Sequence, residues 1–168
     1  TDWTLYDEET MTPIENAETI INPIDHKIFN CDILDDSFQV LYSSIRKDPN
    51  IPGILLLVGK TYGRSKNTQQ KDTKKLYYKC IPNDKRLPSF LIPYQEKNIG
   101  FNKNIVNRYI LFKYTEWIDK HPCGIITNIL GEITDLTSFY EYQLYCKNLA
   151  ISIKTFTNDV NKILKQDT

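Results

Sequence analysis

The side chains of this sequence best suited to chemistry are cations interleaved with tyrosines. Lys60, Tyr62, Arg64, Lys66, Lys71, Lys74 and Lys75 lead into Tyr77 and Lys79, and Lys85 and Arg86 follow shortly after. Ammonium and guanidinium groups neutralise phosphates, and tyrosine rings offer flat faces on which unpaired bases stack. Such a set suits a single-stranded nucleic acid, bound with little sequence preference and weakened by salt, because released counterions drive the association. The same residues also suit an ordinary sheet strand beside a solvated basic loop, and the stretch alone admits both readings. No motif supports a Ser–His–Asp or Cys–His arrangement. His26 and His121 each stand beside turn residues and read as surface groups, so no catalytic residue is expected.

The elements that must position these cations follow from periodicity. Over residues 76–81, Leu76, Tyr78 and Cys80 share one face at period two, and Tyr77, Lys79 and Ile81 share the other. A slip of one residue exchanges the faces, so the alternation leaves open which of them points outward. Pro82 has no donor and ends the ladder, Asn83 and Asp84 favour a turn, and Pro88 fixes the exit. Residues 39–46 alternate as a strand, and residues 53–58 are a continuous aliphatic run that suits a buried one. Residues 60–75 form a polar, basic loop. Residues 90–94 are short and apolar, residues 108–117 alternate clearly, and residues 124–133 form a further strand interrupted by Gly131. Trp117, at the end of one of these strands, reads as a core or hinge aromatic. From about residue 137 the spacing turns helical. A second helix carrying Phe156, Val160, Ile163 and Leu164 follows a cap at Thr155 or Thr157. The expectation is a mainly β chain with C-terminal helices, built on a five-stranded OB-like barrel. Residues 1–38 then form an acidic N-terminal arm, residues 39–135 the barrel, and residues 136–168 a helical extension.

Composition supports a real core and an uneven surface. The chain of 168 residues is 40% hydrophobic and 12% aromatic, enough for one ordinary domain. Its net charge of zero conceals two opposed segments. Residues 1–38 hold ten acids against Lys27, and residues 46–86 hold eleven bases against Asp48, Asp72 and Asp84. The basic middle matters to a polyanion, and the acidic arm offers it an intramolecular competitor or a docking surface for another protein. Cys31, Cys80, Cys123 and Cys146 are scattered singly, which suits reduced thiols in an intracellular protein and not a metal site. Asp32, Asp35 and Asp36 read as a solvated turn rather than a magnesium site, because no further carboxylates stand ready to close it. No signal peptide or membrane-spanning run is read. The richness in Ile, Lys and Asn suits an AT-rich genome, such as that of a protist or a large virus.

Residues 81–88, IPNDKRLP, resemble the I-P-x-D-x-R-[I/L]-P turn in the second cold-shock-like domain of RNase II/RNase R family exoribonucleases, in their eukaryotic exosome-type form. Trp117 matches a strand-end tryptophan, and Pro122 with Gly124 matches a P-x-G turn. Leu130, Gly131 and Glu132 match the L-G-[D/E] that closes the barrel, and residues 137–149 resemble the helix beyond it. The similarity covers roughly residues 40–164, and residues 28–34 correspond to the end of a preceding cold-shock-like domain. The resemblance implies a cold-shock OB barrel that guides single-stranded RNA into a processive 3′→5′ exoribonuclease. Hydrolysis in that family belongs to a separate downstream domain whose clustered aspartates bind magnesium. No cofactor is therefore expected in this chain, where Asp135, Asp159 and Asp167 are widely spread. The expected partners are single-stranded RNA and a downstream catalytic domain or another protein, with no membrane. In the family the turn arginine also serves structure, which gives Arg86 a pairing with Asp84 as its other role.

Overall fold

In the computed structural model, residues 4–15, 21–30, 32–64, 75–95 and 105–149 are described. Lys66, Lys71, Lys74, Cys31 and the expected second helix lie outside them. Five strands close a barrel: β3 (Ile51–Leu56), β4 (Leu76–Pro82), β5 (Phe90–Tyr94), β6 (Arg108–Glu116) and β7 (Cys123–Glu132). The order around it is β3-β4-β5-β7-β6, and β6 returns to pair with β3. All pairings are antiparallel except β5 with β7, which is parallel through Leu91 and Cys123. Three irregularities in the β6–β7 ladder bend these long strands enough to close the barrel. This is the mixed, partly Greek-key closure of an OB fold.

Alternation places the core. Leu55, Cys80, Phe90, Ile92, Ile110 and Phe112 point inward and are almost wholly buried. Tyr78 packs against them, so Tyr77, Lys79 and Ile81 are the outward set of β4. β6 is buried on both faces, because Tyr109 and Leu111 on its outer side are covered as well. The cover over Tyr109 is helix α2 (Leu136–Cys146), whose Tyr142 stacks on it with ring centroids 4.4 Å apart. Asp135 caps that helix, accepting from Thr137 N and Ser138 N. Among the described residues, no helix is long and apolar enough to cross a membrane.

The expected strand over residues 39–46 is cut short. Only β2 (Val40–Tyr42) is extended, pairing with β1 (Ile33–Leu34) in a separate two-stranded ladder. Ser43 then takes an extended conformation, and its hydroxyl accepts from Arg46 N and starts the short helix α1 (Ser44–Lys47). A serine cap thus overrides the alternation. The aliphatic strand also begins earlier than its run of Leu and Val suggests, with Ile51 and Pro52 already in the ladder.

The acidic N-terminal segment sends one side chain into the barrel. Phe29 is 2% exposed and joins the core cluster. Its ring stacks on Trp117 at 4.9 Å and on Phe90 at 5.7 Å, and meets Tyr114 edge-on at 5.5 Å. Arg46 lies over the Phe29 and Tyr114 rings and donates to Lys27 O at 2.8 Å, clasping the segment in place.

Candidate nucleic-acid interface

The outer face of β4 carries the central cation. Lys79 stands beside Leu91 of β5 and Leu56 of β3, and Tyr77 stands beside Pro93. The face is therefore an apolar floor with one half-buried lysine in it. β3 ends at Leu56, and residues 62–64 take over the vacated edge of β4. Tyr62 N donates to Tyr77 O and Tyr77 N donates to Gly63 O, both at 2.9 Å. Arg64 bridges to Leu76. Two residues thus stand opposite Tyr77, a misfit absorbed by Gly63 at φ +93°.

His121 approaches the same face from the start of β7. Pro122 O accepts from Leu91 N at 2.8 Å, which holds the start of β7 against β5. The His121 ring meets the Tyr62 ring edge-on, centroids 6.2 Å apart at 80°. Tyr62 is 43% exposed, so much of its ring remains open to a ligand. Partial burial holds the His121 imidazole below the ordinary histidine range, and the charges of Lys120 and Lys79 lower it further. At neutral pH His121 is therefore an uncharged ring among cations.

The cations expected from the sequence fall into two groups. Lys60, Arg64 and Lys75 are exposed near the start of β4, with Lys79 on the strand itself. None of these four is in an ion pair among the described residues. Lys85 and Arg86 sit past the other end of the seven-residue β4, on the order of 20 Å away. Arg86 is bound to its own turn: Nη2 lies 2.8 Å from Asp84 Oδ2, and Nε lies 3.0 Å from Oδ1. Hydrogen bonding from Arg86 holds the Asp84 carboxyl below its usual range. The guanidinium thus shapes the turn and still presents an exposed edge, 61% of its side chain being accessible. His121 belongs to this constellation although its sequence neighbours mark only a turn. The signal for it lies in the parallel β5–β7 pairing, which sequence spacing does not reveal.

The aspartates near residue 35 act in turns. Asp35 Oδ1 accepts from Gln39 N at 2.8 Å, Ser37 Oγ at 2.7 Å and Ser37 N at 2.9 Å, bonds that hold its carboxyl below the usual carboxylate pKa range. Asp32 caps Phe29 N at 2.9 Å. Among the described residues no three of His, Cys, Asp or Glu gather into a metal set. Cys80 is fully buried and its thiol is pushed far up by desolvation, which makes it inert as a nucleophile.

Residues 77–141 match the family model of the Dis3-like cold-shock domain 2. The match runs from β4 through β7 into α2, and so contains Lys79, the Asp84–Arg86 turn, Trp117, His121 and Gly131. No curated protein and no solved structure matches the chain. The match over residues 77–141, together with the five-stranded closure and capping helix, supports a cold-shock OB domain similar to that of the Dis3/RNase II family.

Proposed function

We propose that this chain binds single-stranded RNA across the outer face of β4 and β5, as a guiding module of, or derived from, an RNase II-like 3′→5′ exoribonuclease. The observation that carries the reading is the Tyr62–His121 ring pair, brought together at the margin of a face that presents Lys79. The two rings offer stacking surfaces, Lys79 and Lys120 neutralise phosphate, and Lys60, Arg64 and Lys75 extend the positive field beyond the rings. Lys66, Lys71 and Lys74 join them by sequence position, in an intracellular setting with a catalytic domain as partner. The preference for RNA over DNA rests on the family.

Fluorescence anisotropy with a labelled single-stranded RNA tests this at two salt concentrations. The wild-type chain is expected to bind, and to lose affinity steeply with salt. Tyr62→Ala removes one stacking surface and is expected to weaken binding by roughly 5- to 100-fold. Lys79→Ala is expected to reduce the salt slope by about one counterion. No binding at low salt, or unchanged affinity in the Tyr62→Ala/Lys79→Ala double variant, overturns the reading.

Protonation gives a second check at the same site. Partial burial, and after it the charges of Lys120 and Lys79, keep His121 neutral in the free chain. A phosphate placed among them favours the imidazolium, so RNA binding raises the His121 pKa. Affinity should then rise as pH falls through the interval between the free and bound values, with at most one proton taken up. His121→Asn should flatten that dependence. The free fold responds in the opposite sense. An unfolded histidine titrates near 6.5, above the folded value, so His121 weighs against the folded state as pH falls below that point. A pH-independent affinity in the wild-type chain removes His121 from the phosphate path.

A further inference from the structure

Helix α2 is apolar on two sides. Ser138 and Tyr142 are buried where the helix meets the barrel. Leu136, Tyr140 and Leu144 recur every fourth residue on the opposite side, and stand 62%, 60% and 36% exposed. A helix seated on a barrel normally turns a polar face to water, so a second apolar stripe marks a face made for another element. The end of the helix bears on what that element is. Leu149 N donates to Leu144 O at 2.8 Å and Asn148 N donates to Tyr145 O at 3.1 Å, with Asn148 at φ +55°. This is a Schellman closure, which stops the helix and turns the chain off its axis. Beyond Leu149, the residues Phe156, Val160, Ile163 and Leu164 recur at i, i+4, i+7 and i+8, with Asp159, Asn161, Lys162 and Lys165 among them.

We propose that residues 156–164 form a helix that packs lengthwise on the outer stripe of α2. The two apolar stripes, over residues 136–144 and 156–164, are equal in length, about 12 Å each at helical rise. The chain from Leu149 to Phe156 reaches up to about 23 Å when extended, enough to carry it back along α2 and make an antiparallel helical pair. The polar residues 159, 161, 162 and 165 then face water, where α2 offers only its apolar outer side. Being on the same chain, the segment is held beside the stripe at high effective concentration, an advantage that neither a second copy nor a separate protein has. Helix α2 becomes a middle layer between the barrel and the terminal helix. The inference is independent of RNA binding.

Hydrogen exchange of the full chain, read by amide NMR, tests this. The amides of residues 160–164 are expected to exchange at least about tenfold more slowly than in an unfolded chain. Leu136→Asp/Tyr140→Asp, two exposed substitutions on α2, should abolish that protection while the amides of β3 and β6 keep theirs. Ile163→Asp should in turn shift the methyl signals of Leu136 and Leu144, far from it in sequence. Unprotected amides over residues 160–164 in the wild-type chain overturn the proposal, as does protection that survives the α2 double variant. Protection that grows with protein concentration, beside a dimer in sedimentation, also overturns it and gives the stripe to a second copy. Should the double variant unfold the barrel, Ile163→Asp decides alone, and Leu136 and Leu144 signals that stay in place overturn the proposal.

Discussion

Phe29→Ala is expected to remove about 3–5 kcal/mol of stability, the cost of deleting a large buried aromatic and leaving its volume empty. That is a large share of the roughly 5–15 kcal/mol that holds a typical domain folded. The ring touches Phe90, Trp117 and Tyr114 at once, so the barrel has few ways to collapse onto the vacancy. The Arg46 guanidinium loses one of the two rings it covers, while its bond to Lys27 O has less to anchor. Phe29→Leu, which keeps apolar volume but not the stacking, should fall well short of the alanine loss. Urea unfolding measures both: the midpoint should drop sharply for alanine and modestly for leucine, with the slope unchanged. A loss under about 1 kcal/mol for the alanine variant would show that the segment merely rests on the barrel.

That side chain also marks the limit of what the sequence tells. The acidic segment has little periodicity, and nothing in the sequence around Phe29 announces that its side chain enters the barrel of a later segment. Where contacts are local or periodic, the reading is direct. Tyr78 and Cys80 turn inward while Tyr77, Lys79 and Ile81 turn outward, as alternation demands once the core is known. Arg86 reaches Asp84 two residues away, a pairing implied by the family resemblance of the turn. The strand expected over residues 39–46 fails because Ser43 offers its hydroxyl to the backbone, a local competition that alternation ignores. His121 is invisible for a different reason. Its neighbour Tyr62 lies on the far side of β4 and β5 in sequence order, and only the crossover that sets β7 parallel to β5 brings the two rings together. Candidate surfaces assembled by topology, unlike strands assembled by pattern, need the fold before they can be read.

Gly131→Ala should be the other strongly destabilising substitution, with a loss of about 2–4 kcal/mol from backbone strain and a broken helix cap. Gly131 holds φ +149°, which L side chains rarely adopt. A Cβ there would fall 2.0 Å from Ser138 Oγ and 2.9 Å from Ser138 Cβ. Ser138 cannot readily yield, because it is buried and its single hydroxyl proton is shared between Asp135 Oδ2 at 2.5 Å and Leu130 O at 3.2 Å. The same Asp135 carboxylate accepts from Ser138 N at 3.0 Å as the cap of α2. Displacing Ser138 therefore unseats the first turn of the helix, and with it the stacking of Tyr142 on Tyr109 that closes the outer side of β6. Ser138→Gly in the same chain removes the atoms that collide but leaves the strained φ. The double variant should then lose less than the two single losses added together, a coupling that a urea-based mutant cycle resolves. Additive losses would assign the whole cost to the backbone. In that case α2 would be seated by its aromatic contacts with β6, and the close fit of Gly131 against Ser138 would carry none of its stability.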